Sequence, residues 1–164
     1  MMKAKDLAIV ALLAAALMVV QVALALVPNV ELVSFLVVVS TLTFRRRAVY
    51  AIYIFALLEG LIYGFGVWWF MYLYVWTILA GAAWLLRRNT SVVVWAAVSG
   101  GFGLLFGALC AIPYFFIGGV SMGIAYWIAG IPFDLIHCVS NALVMLALYK
   151  PVRAVFDKLR QRYC

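Results

Sequence analysis

Charged residues are scarce in this sequence. Only 10% of its 164 residues are charged, five of them acidic, whereas a soluble domain needs about a quarter. A water-soluble globular domain is therefore excluded. The mean hydropathy of +1.21 excludes intrinsic disorder, which goes with low hydrophobicity, and three cysteines are too few for a disulfide scaffold. An integral membrane protein is the class that remains.

The twelve Lys and Arg residues fall into four clusters, at 3–5, 45–47, 87–88 and 150–162. Each stretch between two clusters is long enough for two helices of about 20 residues. Because basic residues are retained on the cytoplasmic side, we predict an all-α integral membrane protein with six transmembrane helices and both termini inside. The net charge of +7 is then a topology signal and not a sign of nucleic-acid binding.

The predicted helices form a single transmembrane domain over residues 1–164. Pro28 and Asn29 make the first outer turn, because proline disfavours helix at the residue before it. The stretch 111–131 is apolar enough for a seventh span, but a seventh crossing would place the C-terminal basic cluster outside. We expect an outer extension, cap or re-entrant loop there, with a helical cap left open, and the helices are predicted over about 6–27, 30–44, 48–65, 68–86, 91–110 and 132–149.

Five polar residues fall inside these spans, in the predicted outer half: Glu31, Glu59, Asp134, His137 and Asn141. An ionisable group within a membrane span is costly and is a functional candidate by default. The last three follow i, i+3, i+7 spacing and so share one helix face. A structural role stays open, since Glu31 and Asp134 stand at predicted helix starts where a carboxylate is favoured, and Asp134 could pair with His137 only to hold the last helix.

Aromatic residues gather near the same outer surface. An aromatic belt explains part of this set, and a pocket for a flat ring is the alternative. Cys110, Cys138 and Cys164 lack paired spacing, and a single histidine does not make a metal site, so we predict no metal. The aromatic set is Trp68, Trp69, Tyr72, Tyr74, Trp76, Tyr126 and Trp127.

Small residues recur every fourth position on two helices. Helix 1 carries Ala11 and Ala15, and helix 5 carries Ser99, Gly103 and Gly107. Such spacing lets helices approach closely. Both faces could serve internal packing. The face on helix 1 could instead dock another membrane subunit.

These features resemble the substrate-binding S component of energy-coupling factor (ECF) transporters. The likeness covers essentially the whole chain and rests on size, topology, Ala11-x-x-x-Ala15, the segment Pro28-Asn29-Val30-Glu31 and the run from Gly130 through Asp134 and His137 to Asn141. It implies a vitamin or micronutrient receptor in a bacterial plasma membrane. It also implies that Ala11 and Ala15 contact a membrane coupling subunit, while two cytoplasmic ATPases use the ATP, because this chain has no phosphate-binding loop of its own.

The expected ligand is a small vitamin-like or nucleobase-like compound. A ligand with an essential carboxylate would favour an Arg or Lys in the pocket, and the outer half has none. Deazapurine queuosine precursors and pyridoxine-like or thiamine-like rings fit better, since carboxylates accept their N–H groups, and cobalamin stays open. The expected substrate-binding residues are Asn29, Glu31, Glu59, Tyr63, Trp68, Tyr72, Trp127, Asp134, His137 and Asn141.

Two other functions stay open. One is an intramembrane enzyme that uses Asp134 and His137 as an acid–base pair, although no nucleophile is aligned with them. The other is a stand-alone small carrier, for which six helices without an evident inverted repeat are sparse. We expect a non-enzymatic binding subunit with no cofactor of its own.

Overall fold

The computed structural model describes residues 3–27 and 30–163 of the chain. Within these residues the secondary structure is all helical, which confirms the predicted all-α class. The helices are α1 (Ala4–Ala23), α2 (Val33–Phe44), α3 (Arg46–Tyr63), α4 (Val67–Leu85) and α5 (Val92–Tyr163).

Helix α5 is a hairpin and not one straight rod. Its helical geometry breaks at Gly118 and Gly119, and Gly119 has a φ of +75°, which glycine adopts without steric cost. The break separates a first arm, 92–117, from a second arm, 120–163. The arms run antiparallel, since the ring of Tyr114 stacks on that of Tyr126 with centroids 4.1 Å apart near the break.

Glycines on the first arm allow the two arms to touch. A Cβ added at Gly103 would lie 2.7 Å from the carbonyl oxygen of His137, and one at Gly100 would lie 3.1 Å from the carbonyl oxygen of Cys138. A Cβ at Gly107 would overlap the carboxylate of Asp134. The small-residue face at Ser99, Gly103 and Gly107 is therefore used for internal packing.

Several predicted helix bounds need correction. The segment 111–131 is helical apart from its central glycine pair, so it extends both arms. The last helix begins near residue 120 and continues to Tyr163, which places Pro132 and Asp134 inside it and not in its first turn. Pro113 and Pro132 each remove one backbone hydrogen bond, and both lie in arms that pack against each other. The first helix ends at Ala23, and the second begins at Val33.

Three of the described helices, α1, α4 and α5, are long and apolar enough to cross a membrane, which is compatible with a membrane protein. Helix α2 has 12 residues, about 18 Å at 1.5 Å per residue. Helix α3 carries Arg46, Arg47 and Glu59 within its 18 residues. The count by length and composition is thus lower than the six predicted spans.

The short helix α2 lies at the centre of the bundle. It packs against each of the other four helices, and all of its residues except Leu36 are buried. Its valines join the main core with Phe55, Trp76 and Trp95. A core helix of this kind is apolar on all sides and shows no amphipathic stripe.

The basic clusters gather at one end of the bundle, here called the basic end. Asp6 pairs with Arg47 and so ties the start of α1 to the start of α3. Arg45 and Arg46 line a cavity together with Trp84 near the end of α4. Arg162 lines another with Lys3 and Lys5. The opposite end, here called the cavity end, holds the end of α1, the start of α2, the α3–α4 turn and the hairpin tip.

Candidate functional site

A cavity of about 190 Å³ lies towards the cavity end. It is enclosed by the end of α1 and the segment leading into α2, by α4 and by both arms of α5. Among the residues that the structure describes, no Lys or Arg lines it. Its walls are Gln21, Leu24, Ala25, Val27, Val30, Glu31, Tyr72, Trp76, Phe106 and His137.

Glu31 is the acidic group in this cavity, and it makes two contacts. Its Oε2 accepts a hydrogen bond of 2.8 Å from the backbone N–H of Ser34, which caps the start of α2. Its Oε1 lies 3.1 Å from Nε2 of His137 on the second arm of α5. Glu31 therefore has the helix-capping role that the sequence analysis considered. The same carboxylate also lines the cavity.

His137 is fixed from two sides. Its Nε2 lies 3.1 Å from Oε1 of Glu31, and with an ionised carboxylate, which only accepts hydrogen bonds, Nε2 would be the donor. The edge-on ring of Phe106 lies 5.0 Å away, centroid to centroid. Within the described residues Nδ1 is buried without a hydrogen-bond partner, so the imidazole keeps one ring nitrogen unused.

Three aromatic rings form the apolar walls of the cavity. Trp76 lies between Tyr72 and Phe106, with centroids 5.5 Å and 5.7 Å away. The Tyr72 hydroxyl accepts a 3.4 Å hydrogen bond from the amide of Gln21. The indole N–H of Trp76 is buried and has no partner among the described residues. The cavity thus offers a flat apolar wall together with donors and acceptors.

Asp134 is close to His137 in sequence but makes a different contact. Its Oδ1 accepts a 2.9 Å hydrogen bond from the backbone N–H of Gly107, across the two arms of the hairpin. It lines a separate cavity beside Cys110 and Tyr126. The structural pairing of Asp134 with His137 considered from the sequence is therefore replaced by a contact with Gly107.

Asn141 and Glu59 are both buried outside the cavity walls. The amide of Asn141 donates to the carbonyl oxygen of Ser99 at 3.4 Å and so joins the two arms. Glu59 is only 2% exposed, and its Oε1 lacks a hydrogen-bond partner within the described residues. Glu59 lies one turn of α3 after Phe55. The ring of Phe55 is 6.0 Å from that of the cavity residue Tyr72, centroid to centroid, so Glu59 is close to the aromatic wall but does not line the cavity.

The other predicted site residues lie outside the cavity walls. Trp68 packs edge-on against Tyr72, with centroids 5.3 Å apart, and supports the wall from outside. Tyr63 and Trp127 have exposed side chains that do not line the cavity. Asn29 lies outside the described residues.

Most of the cavity residues were not in the predicted set, Gln21 and Phe106 among them, and Trp76 was noted only as one of the outer aromatics. Gln21 had a usable signal, because it is a polar residue within the apolar run of helix 1. Phe106 had none, since a phenylalanine in a membrane helix is indistinguishable from a lipid-facing one. Its role depends on the hairpin, which brings it against His137.

The acidic, histidine and cysteine side chains do not converge on a metal site in the part of the chain that the structure describes. The residues predicted to contact a partner subunit lie on the surface of α1. Ala11 and Ala15 are exposed on α1 and face away from the bundle, with Ala8 on the same side.

Comparison with known proteins assigns the chain to no family. No family model matches it, and neither a curated protein nor a solved structure does. The chemistry of the cavity and of the exposed faces therefore carries the functional argument.

Proposed function

We propose that this chain is a membrane-embedded substrate-binding subunit, of the kind found in ECF transporters. It captures a small ring compound in the cavity and releases it inward when partner subunits hydrolyse ATP. The observation that carries the proposal is the Glu31–His137 pair, which lines a cavity walled by Tyr72, Trp76 and Phe106.

The donors and acceptors of the cavity favour one ligand class. The carboxylate of Glu31 accepts hydrogen bonds from ring N–H or amino groups, while the aromatic walls favour a flat ring. The described walls contain no Lys or Arg, so a ligand carboxylate would lack the permanently charged partner that it favours. Deazapurine, pyridoxine-like and thiamine-like compounds fit this chemistry.

The size of the cavity narrows the choice further. Its volume of about 190 Å³ lies below the usual range of about 300–1,000 Å³ for ligand pockets. This favours a single or fused ring over cobalamin, which was open from the sequence.

The placement of charge supports six crossings with both termini in the cytoplasm. Residues of three basic clusters line the two cavities of the basic end, and Arg87 of the fourth donates to the carbonyl oxygen of Trp84, which lines one of them. Helix α5 returns to that end as a hairpin. Basic residues mark the cytoplasmic side of membrane proteins. The cavity end then faces outward, where a nutrient arrives.

The exposed Ala11–Ala15 face of α1 supports a coupling subunit as the partner. Small side chains allow a neighbouring helix to approach closely, and these two alanines are exposed on the bundle. We expect Ala15→Trp to prevent copurification with the coupling subunit while ligand binding is retained. The matched control is Ala125→Trp, at an exposed position near the start of the second arm of α5. Equal copurification of both variants with the coupling subunit would contradict the docking assignment.

Binding is tested directly with the purified chain in detergent. Small molecules that copurify are identified by mass spectrometry, and thermal stability is measured with a deazapurine queuosine precursor, pyridoxine, thiamine, biotin and pantothenate. We expect one of the first three to stabilise the protein and the two carboxylates to leave it unchanged. Stabilisation by biotin or pantothenate alone would contradict the proposed ligand class.

A further inference from the structure

We propose that the basic end holds one anionic phospholipid, with its phosphate among Lys3, Lys5, Arg47 and Arg162 and an acyl chain in the groove beside them. This site is distinct from the ligand cavity, and of the proposed function it rests only on the insertion of the chain in a membrane.

The acyl-chain site is an apolar groove of about 510 Å³. It runs between the start of α1, the end of α2 and the last turns of α5. Leu12 and Ala8 are exposed along it, whereas Ile9 and Phe44 form its buried floor. The complete lining is Ala4, Lys5, Ala8, Ile9, Leu12, Phe44, Leu159 and Tyr163.

The phosphate site is a second recess, of about 500 Å³, that adjoins the groove. Lys5 and Tyr163 line both cavities, so the apolar and the charged spaces share a wall. The recess is lined by Lys3, Lys5, Asp6, Arg47, Arg162 and Tyr163.

The recess carries an excess of positive charge. Four cationic side chains surround one carboxylate, that of Asp6, which leaves a net charge of +3. The Asp6 carboxylate is itself occupied, since it pairs with Arg47 and accepts a 3.0 Å hydrogen bond from the backbone N–H of Lys3. Lys3, Lys5 and Arg162 are exposed around the recess, so a bound anion would be attracted by all three.

The neighbouring groove decides which anion this is. Free phosphate would pair with the cationic side chains of the recess but would leave the apolar groove unfilled. A lipid without net charge would fill the groove but would leave the positive charge of the recess unpaired. An anionic phospholipid satisfies both, and basic recesses between helices on the cytoplasmic side are typical sites for such headgroups.

The charge half of the site is tested by native mass spectrometry. The full-length protein is released from micelles that contain equal amounts of dioleoyl phosphatidylglycerol and dioleoyl phosphatidylcholine. We expect wild type to retain one phosphatidylglycerol in preference to phosphatidylcholine. The double variant Lys5→Gln/Arg162→Gln should lose that preference by at least about tenfold, because each cation near a headgroup contributes roughly a fivefold change in affinity.

The matched control is Arg88→Gln/Lys150→Gln, which removes two exposed charges that line neither cavity. It should retain the wild-type preference. Equal losses in both double variants would show general attraction to an anionic surface and would overturn the site. Competition by millimolar glycerol phosphate would overturn it too, since that result would indicate a soluble phosphate ligand.

The apolar half is tested by filling the groove. Ala8→Phe adds a ring to the groove wall without changing charge and should reduce retained phosphatidylglycerol, whereas Ala125→Phe should not. Unchanged retention in Ala8→Phe would overturn the acyl-chain assignment. None of these measurements involves the ring ligand or the partner subunits, so a failure here is separate from a failure of the proposed transport function.

Discussion

Charged side chains are largely exposed at the basic end of the bundle and largely buried at the cavity end. At the basic end, Lys5 and Arg162 are exposed, and Asp6 is held by Arg47. At the cavity end, Glu31 and His137 face each other with side chains only 15% and 5% exposed. The exposed charges are stabilised by water and cost little, whereas the buried pair costs free energy unless its groups are well satisfied. Under the proposed function, the buried pair at the cavity end is the one that would contact a ligand, so its cost in stability would serve binding.

The largest expected effect is at Glu31. Glu31→Gln removes the charge but keeps a side-chain oxygen that can accept from Ser34 and His137. Because hydrogen bonds to charged groups contribute about 1.5–3 kcal/mol, we expect affinity for the tightest-binding compound of the panel to fall roughly 10- to 100-fold. Calorimetric titration measures this change.

Asp157 supplies the control for that experiment at the basic end. Its carboxylate accepts from Arg153 at 3.0 Å, one helical turn away. Asp157→Asn should leave affinity for the ring compound unchanged. Equal affinities for the Glu31 and Asp157 variants would remove the functional difference between the two ends.

The second effect concerns the hairpin that carries His137 to the cavity. In Gly103→Ala the new methyl group meets the His137 carbonyl oxygen at 2.7 Å, so the arms must separate. Such overpacking costs about 1–3 kcal/mol, and the free energy of unfolding in mixed micelles should fall by that amount. Gly101→Ala is the control because its Cβ meets no atom within 4 Å. If the two variants unfold alike, the close packing of the arms is wrong.

The smallest effect is at Glu59. Glu59→Gln replaces a buried carboxylate, one oxygen of which has no partner among the described residues, with a neutral amide. Removing the cost of burying that charge should raise the unfolding free energy of the ligand-free protein by about 1 kcal/mol or less. Chemical unfolding in detergent checks this. A decrease would mean that Glu59 stabilises the fold and would place it with the structural residues.

The sequence was most informative where a rule acts locally. The rarity of charge predicted a helical membrane class, and polar residues within apolar runs predicted Glu31 and His137 as members of a site. The spacing of Ser99, Gly103 and Gly107 favoured close packing, and the structure supplies its partner, the second arm of α5.

The sequence was least informative where two distant segments decide the outcome together. A seventh crossing would place the C-terminal basic cluster outside, so 111–131 was expected to be an outer extension, cap or loop. It is helical on both sides of the Gly118–Gly119 break, where the two arms pack against each other. The same limit applies to the site, because Trp127 and Phe106 are both apolar aromatics and only the fold decides which one lines the cavity. Asp134 illustrates it as well, since its partner is a backbone N–H 27 residues away.

The shortness of α2 has a consequence for how a ligand arrives. In the proposed orientation α2 ends at the cytoplasmic surface and spans only about 18 Å, whereas the hydrocarbon core is about 30 Å thick. Its first residue therefore lies roughly 12 Å beneath the outer boundary, surrounded by longer helices. In that orientation the depression above α2 would form a vestibule that leads from the external medium to Glu31. A solute that leaves the external medium would shed its hydration gradually along this descent, before it meets the aromatic walls.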